Sequence, residues 1–82
     1  MNNANTTTTM ISSTDGYEVV HLLATPEDVA NLGAECLSTS VRKVADSLIE
    51  GAAVNGITVS DESREDLIAW LEDAEAEAEA ED

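Results

Sequence analysis

The sequence predicts an α+β fold, predominantly helical: a small single domain of about three helices with one or two short strands. Three observations lead there. Apolar residues recur at helical spacing in three separate stretches. Each stretch opens on a residue able to cap a helix: Thr25, Ser40 and Ser60. Two shorter runs, residues 17–24 and 57–59, are rich in β-forming residues and bounded by Gly or Pro. A pure three-helix bundle is the alternative architecture.

Residues 1–16 are expected to be a disordered polar arm. Asn2, Asn3, Asn5, Thr6–Thr9, Ser12, Ser13 and Thr14 dominate it, and Met10 and Ile11 are its sizeable apolar groups. Such a stretch buries too little surface to offset chain entropy. Residues 17–24, Tyr-Glu-Val-Val-His-Leu-Leu-Ala, then read as a strand that is nearly apolar on both faces; a turn of buried helix is the alternative.

Thr25-Pro26-Glu27-Asp28 is a helix start. Thr25 can cap, Pro26 suits the first helical position, and two acids favour the positive end of the dipole. Val29, Leu32, Gly33, Cys36 and Leu37 follow on one face, giving a helix over 26–37. Ser38-Thr39-Ser40 breaks it; without that break the first two helices merge. A second helix over 41–54 carries Val41, Val44, Ala45, Leu48, Ile49 and Ala52 inward, and Asn55-Gly56 ends it. Ile57-Thr58-Val59 is a short strand that can pair with residues 18–23. Ser60 caps a third helix over 61–75, whose inner face is Leu67, Trp70, Leu71 and Ala74, with Trp70 as the expected main core anchor. Beyond it, Glu75, Glu77, Glu79 and Glu81 alternate with alanine. Like charges at i,i+4, at the negative end of the dipole, predict fraying near residues 74–76. The domain is therefore expected over 17–75, with 76–82 an acidic low-complexity tail.

Eighteen Asp and Glu stand against three Lys and Arg, for a net charge of −15 and a pI of about 4.1. That field repels phosphate, so direct binding of nucleic acid or of an anionic membrane surface is not expected. Partners should be cations, a basic protein surface, or a very salty solvent. A chain of this length buries only roughly 60% of its unfolded surface, and with no Phe, one Trp and one Tyr its core is thin. A homodimer is accordingly a candidate, with Arg42-Lys43 as a basic pair able to meet another subunit's acids. One cysteine forms no internal disulfide. No apolar run approaches the ~20 residues of a membrane span, and Met1–Thr14 lacks the basic and apolar regions of a signal peptide. The expected location is the cytoplasm.

Catalysis is not expected. Cys36 falls on an apolar helix face and reads as a small core residue, and His21 sits among apolar neighbours in the expected strand. Neither a phosphate-cradling glycine loop nor a nucleophile elbow is present. No calcium-loop pattern occurs, and one His with one Cys cannot make a tetrahedral zinc site, so no metal or cofactor is expected.

The acids are unevenly placed. Residues 1–60 hold seven acids and two bases; residues 61–82 hold eleven acids and one base, Arg64. In the third helix Glu62, Glu65, Asp66, Glu72 and Asp73 are read as sharing the side opposite Leu67, Trp70 and Leu71. Carboxylates in a row on a rigid helix can imitate phosphates and occupy a groove built for nucleic acid. These five residues are the candidate contact set. In size and charge the chain is similar to small acidic proteins that phages use against host defence nucleases, including CRISPR complexes and restriction enzymes. That likeness implies a non-enzymatic inhibitor acting in the host cytoplasm on a basic nucleic-acid-binding protein. The alternative is a small halophilic structural or regulatory module whose acids are solvent adaptation and whose function lies on an apolar surface. A third reading is an adaptor or antitoxin that orders its ends on a partner.

Overall fold

A computed structural model describes residues 9–80. Its elements run β1 (Thr9–Ile11), α1 (Gly16–Leu23), α2 (Pro26–Ser38), α3 (Val41–Val54), β2 (Ile57–Val59) and α4 (Asp61–Ala80). The strands form a two-stranded parallel sheet in the register Thr9–Ile57, Met10–Thr58, Ile11–Val59. A parallel pair needs a long crossover, and α1, α2 and α3 supply it. One core unites these elements: Val19 and Val20 of α1, Leu32 and Cys36 of α2, Val44 and Ala45 of α3, and Leu67 and Leu71 of α4.

The first and second sequence-predicted helices, α2 and α3 of the structure, start where their caps stand. The Thr25 hydroxyl accepts the Asp28 N–H at 3.2 Å, and the Ser40 hydroxyl accepts the Lys43 N–H at 3.2 Å. The Ser-Thr-Ser break is real: α2 ends at Ser38 and α3 begins at Val41. α3 closes on Asn55, whose N–H donates to the Ala52 carbonyl, and on Gly56, whose N–H donates to that of Ala53 and which turns away with φ +81, a conformation that suits glycine. β2 occupies the predicted residues.

Three expectations are corrected. Residues 17–23 of the expected strand 17–24 belong to helix α1, and Ala24 ends it. The Asp15 carboxylate caps it by accepting the Tyr17 N–H at 3.0 Å. Val19, Val20 and Leu23 then turn inward at i, i+1, i+4, while Tyr17, Glu18, His21 and Leu22 face solvent. β-propensity yields here to a cap and to packing on α4. α1 also comes close because Gly16 has no side chain: a Cβ there would collide with the Asp66 carbonyl oxygen of α4.

The polar arm does not extend to residue 16. Residues 1–8 lie outside the described residues, but Thr9–Ile11 pair with β2 in place of residues 18–23, and Ile11 is 8% exposed. Serine hydroxyls hold this segment. Ser63, fully buried, donates to the Ser13 carbonyl at 2.6 Å and lies 3.2 Å from that of Ile11, which also accepts the Ser60 N–H at 3.0 Å. A core β1 strand thus depends on a helix fifty residues away in sequence.

The third helix does not fray at 74–76. α4 continues to Ala80, and residues 81–82 of the expected tail lie outside the described residues. Ala and Glu are among the best helix formers, and like-charge i,i+4 pairs cost only ~0.2–0.5 kcal/mol each. Packing supplies the rest, since Ala74 and Ala78 lie against Gly33 of α2.

Candidate functional site: the acidic face of α4

α4 is anchored at both ends. At its start, the Ser63 N–H donates to the Ser60 hydroxyl at 3.2 Å, and Ser63 ties the first turn to the end of β1. Along its length Leu67 and Leu71 are fully buried. They, rather than Trp70, are the main anchors; Trp70 is only half-buried and packs at the core's edge. Toward its C-terminal end, a Cβ added at Gly33 would stand 2.6 Å from the Ala74 carbonyl oxygen. The two backbones therefore approach as closely as glycine permits.

This anchoring fixes the opposite side. Glu62, Glu65, Glu72 and Asp73 are exposed and share it, as expected; Ala69 and Ala76 lie between them, and Glu79 extends the row. Asp66 departs from the set. It is half-buried at the α1 side, where its carbonyl faces Gly16. Glu65, Glu72 and Glu79 recur every seven residues, about 10 Å apart along the axis. Across Asp61–Ala80 there are nine acids and Arg64. The helix is about 30 Å long, so its net charge is roughly one per 4 Å, close to the one per 3.4 Å of a single DNA strand.

Arg64 is engaged by Asp46 of α3, Nη2 to Oδ1 at 2.8 Å, the one ion pair among the described residues. It sits at the flank of α4 and leaves the Glu65–Glu72–Glu79 row without a cation on its own helix.

The remaining chemically notable groups lie elsewhere. Cys36 is 2% exposed in the core. Burial pushes its thiol pKa up, and the Glu75 and Glu35 carboxylates push it further the same way. That makes it a poor nucleophile and matches its reading as a small core residue. His21 is exposed on α1, not in a strand, and stacks on Tyr17 with ring centroids 4.2 Å apart.

Two surface features had no sequence signal. Exposed Met10 and Leu22 flank a groove of about 480 Å³ between β1 and α1, lined also by Ile11 and Ile57. A second groove of about 600 Å³ lies between α2 and α4 beside Trp70 and Asp73. The first depends on the pairing of β1 and the second on the closeness of α2 and α4, and neither is visible in local periodicity. No helix among the described residues is long and apolar enough to cross a membrane. Comparison with protein-family models, curated proteins and solved structures gives no match.

Proposed function

We propose that this chain is a non-catalytic, nucleic-acid-mimicking inhibitor that docks the acidic face of α4 into a basic DNA- or RNA-binding groove. The observation that carries this reading is the linear charge density of α4. Its net charge per unit length approaches that of one nucleic-acid strand, on a helix packed against the core through Leu67, Leu71 and the Gly33 contact. A mimic needs that rigidity, because an unstructured acidic tail must give up entropy on binding. Association would be steered by the −15 field and would displace nucleic acid from the partner. Glu62, Glu65, Glu72 and Asp73 make the contacts, and Asp66 contributes at the rim. Phage counter-defence against CRISPR or restriction nucleases is the setting that fits such an activity.

The test is a cleavage assay with a panel of CRISPR effectors and restriction enzymes. Inhibition should weaken steeply as salt rises from about 0.05 to 0.5 M, where screening shortens from over 10 Å to under 5 Å. Glu65→Lys with Glu72→Lys should abolish it while leaving the far-UV circular dichroism spectrum unchanged. Inhibition that survives this double reversal refutes the site.

A second reading draws on the β1–α1 groove. Exposed Met10 and Leu22 give an apolar surface to a small structural or regulatory module that a second copy closes, with the acids as adaptation to high salt. It predicts a chain unfolded at low salt that gains helix and a shielded Trp70 only toward molar KCl. Helix already present at ordinary salt removes the need for that adaptation.

A further inference from the structure

The groove between α2 and α4 has a chemistry distinct from the open acidic face. Its floor is formed by Gly33 and Ala74, where the two helices come closest. On one side stands Leu37, 46% exposed. On the other stand Trp70, half-buried, and then Asp73 and Glu77, at i, i+3 and i+7 on α4. No Lys or Arg lines it. An indole beside two carboxylates and an aliphatic wall is complementary to one kind of side chain. A guanidinium is planar and weakly hydrated, stacks on aromatic faces and pairs with carboxylates through a fork of N–H donors. Its aliphatic stem covers apolar surface such as Leu37. A lysine ammonium is compact and strongly hydrated and uses the carboxylates but little of the indole.

We infer that the α2–α4 groove is an arginine-binding subsite, in which an arginine projecting from a basic partner protein stacks on Trp70 and pairs with Asp73 and Glu77. The inference rests on the proposed basic partner and deepens it. The acidic face of α4 supplies long-range attraction, and this groove supplies the short-range recognition that charge alone lacks. Asp73 belongs to both surfaces and makes them continuous.

Trp70 is the chain's one tryptophan, so its emission reports on this groove and not on cations held elsewhere on an acidic protein. The full chain is titrated at about 0.15 M salt with a blocked, Trp-free peptide of alanine, leucine and two arginines, and with the same peptide carrying lysines. The arginine peptide should shift Trp70 emission saturably, and the lysine peptide should need about threefold or more higher concentration. Asp73→Asn with Glu77→Gln should remove the arginine advantage, whereas Glu65→Gln with Glu72→Gln should retain it. Equal response to both peptides, no saturable response, or an advantage that survives Asp73→Asn with Glu77→Gln overturns the inference. Emission that shifts with the protein's own concentration in the absence of peptide assigns the groove to a second copy and overturns it too. The two proposals fail separately. Nuclease inhibition lost on charge reversal at Glu65 and Glu72 with a silent Trp70 leaves the mimic standing without the subsite. A responsive Trp70 with no nuclease inhibited does the reverse.

Discussion

The same chemical change at two helical glycines should move stability in opposite directions. Gly51 lies in the interior of α3, and an added Cβ there meets nothing within 4 Å. Gly51→Ala therefore adds helix propensity and reduces the freedom of the unfolded chain, a gain of about 0.5–1 kcal/mol. Gly33→Ala gains the same propensity in α2, but its Cβ would stand 2.6 Å from the Ala74 carbonyl oxygen and 3.1 Å from the Ala78 Cβ. Those atoms belong to a neighbouring helix backbone and a short side chain, which cannot swing aside, so α4 must move away from α2. Overpacking costs about 1–3 kcal/mol, and a clash with a backbone atom belongs to the upper part of that range, leaving a net loss of about 1–2 kcal/mol after the propensity gain. For a domain of this size a kilocalorie is worth about 4–8 °C in Tm, so Gly51→Ala should melt a few degrees above wild type and Gly33→Ala about 5–15 °C below. Thermal unfolding followed by circular dichroism reads both. Because Gly33 also holds the C-terminal half of α4, its variant should lose helical signal before the main transition. A Gly33→Ala protein that melts at or above wild type would show that α4 does not depend on this approach, and the rigidity argument would go with it.

Other consequences follow from single groups. Ser63→Ala removes a fully buried hydroxyl and leaves the Ser13 carbonyl without that donor, which should cost about 1–3 kcal/mol in urea unfolding; a neutral substitution would mean β1 is held by its ladder alone. Leu67→Ala empties a fully buried site and should cost about 2–5 kcal/mol, a large part of what so small a core supplies, so that circular dichroism finds the variant largely unfolded at 37 °C; near-native melting would contradict the anchor role. Cys36 should react with a disulfide reagent at pH 8 far more slowly in the native protein than in denaturant. Its raised pKa means the native state holds the thiol proton more tightly than the unfolded chain. Native stability should thus fall as pH rises past the ordinary cysteine value of about 8.5. Cys36→Ala should lose that part of the pH dependence, and identical urea-midpoint profiles for the two proteins from pH 7.5 to 10 would refute the shift.

How much of this was legible follows from where the information sits. Local chemistry wrote the α2 and α3 boundaries plainly: Thr25-Pro26, Ser40 and Asn55-Gly56 act within a turn of themselves, and each does in the structure what its type favours. The burial of Leu32, Cys36, Val44, Leu67 and Leu71 was legible too, because helical period alone sorts inner from outer residues. So was the outward placing of Glu62, Glu65, Glu72 and Asp73. Residues 17–24 were misread because Val and Tyr favour strands in general, while the deciding facts were the Asp15 cap and a helix surface on α4 able to receive Val19 and Val20. β1 was missed because three residues with one buried side chain carry no periodicity, and their partners Ile57–Val59 and Ser63 lie far along the chain.

By itself, then, the sequence determined the charge, the helical bulk, the caps and inner faces of α2 and α3, and the Leu67 and Leu71 side of α4, because these depend on residues within a few positions of one another. Only the tertiary structure decided that Thr9–Ile11 join the sheet, that α4 runs unbroken to Ala80, and that Trp70 sits at the core's edge and lines a groove. These features turn on distant segments meeting, where Gly33 approaches the Ala74 backbone and where the Ser63 hydroxyl donates to the Ser13 carbonyl. Close approach is a property of pairs of segments, and the pairing exists only once the chain has folded.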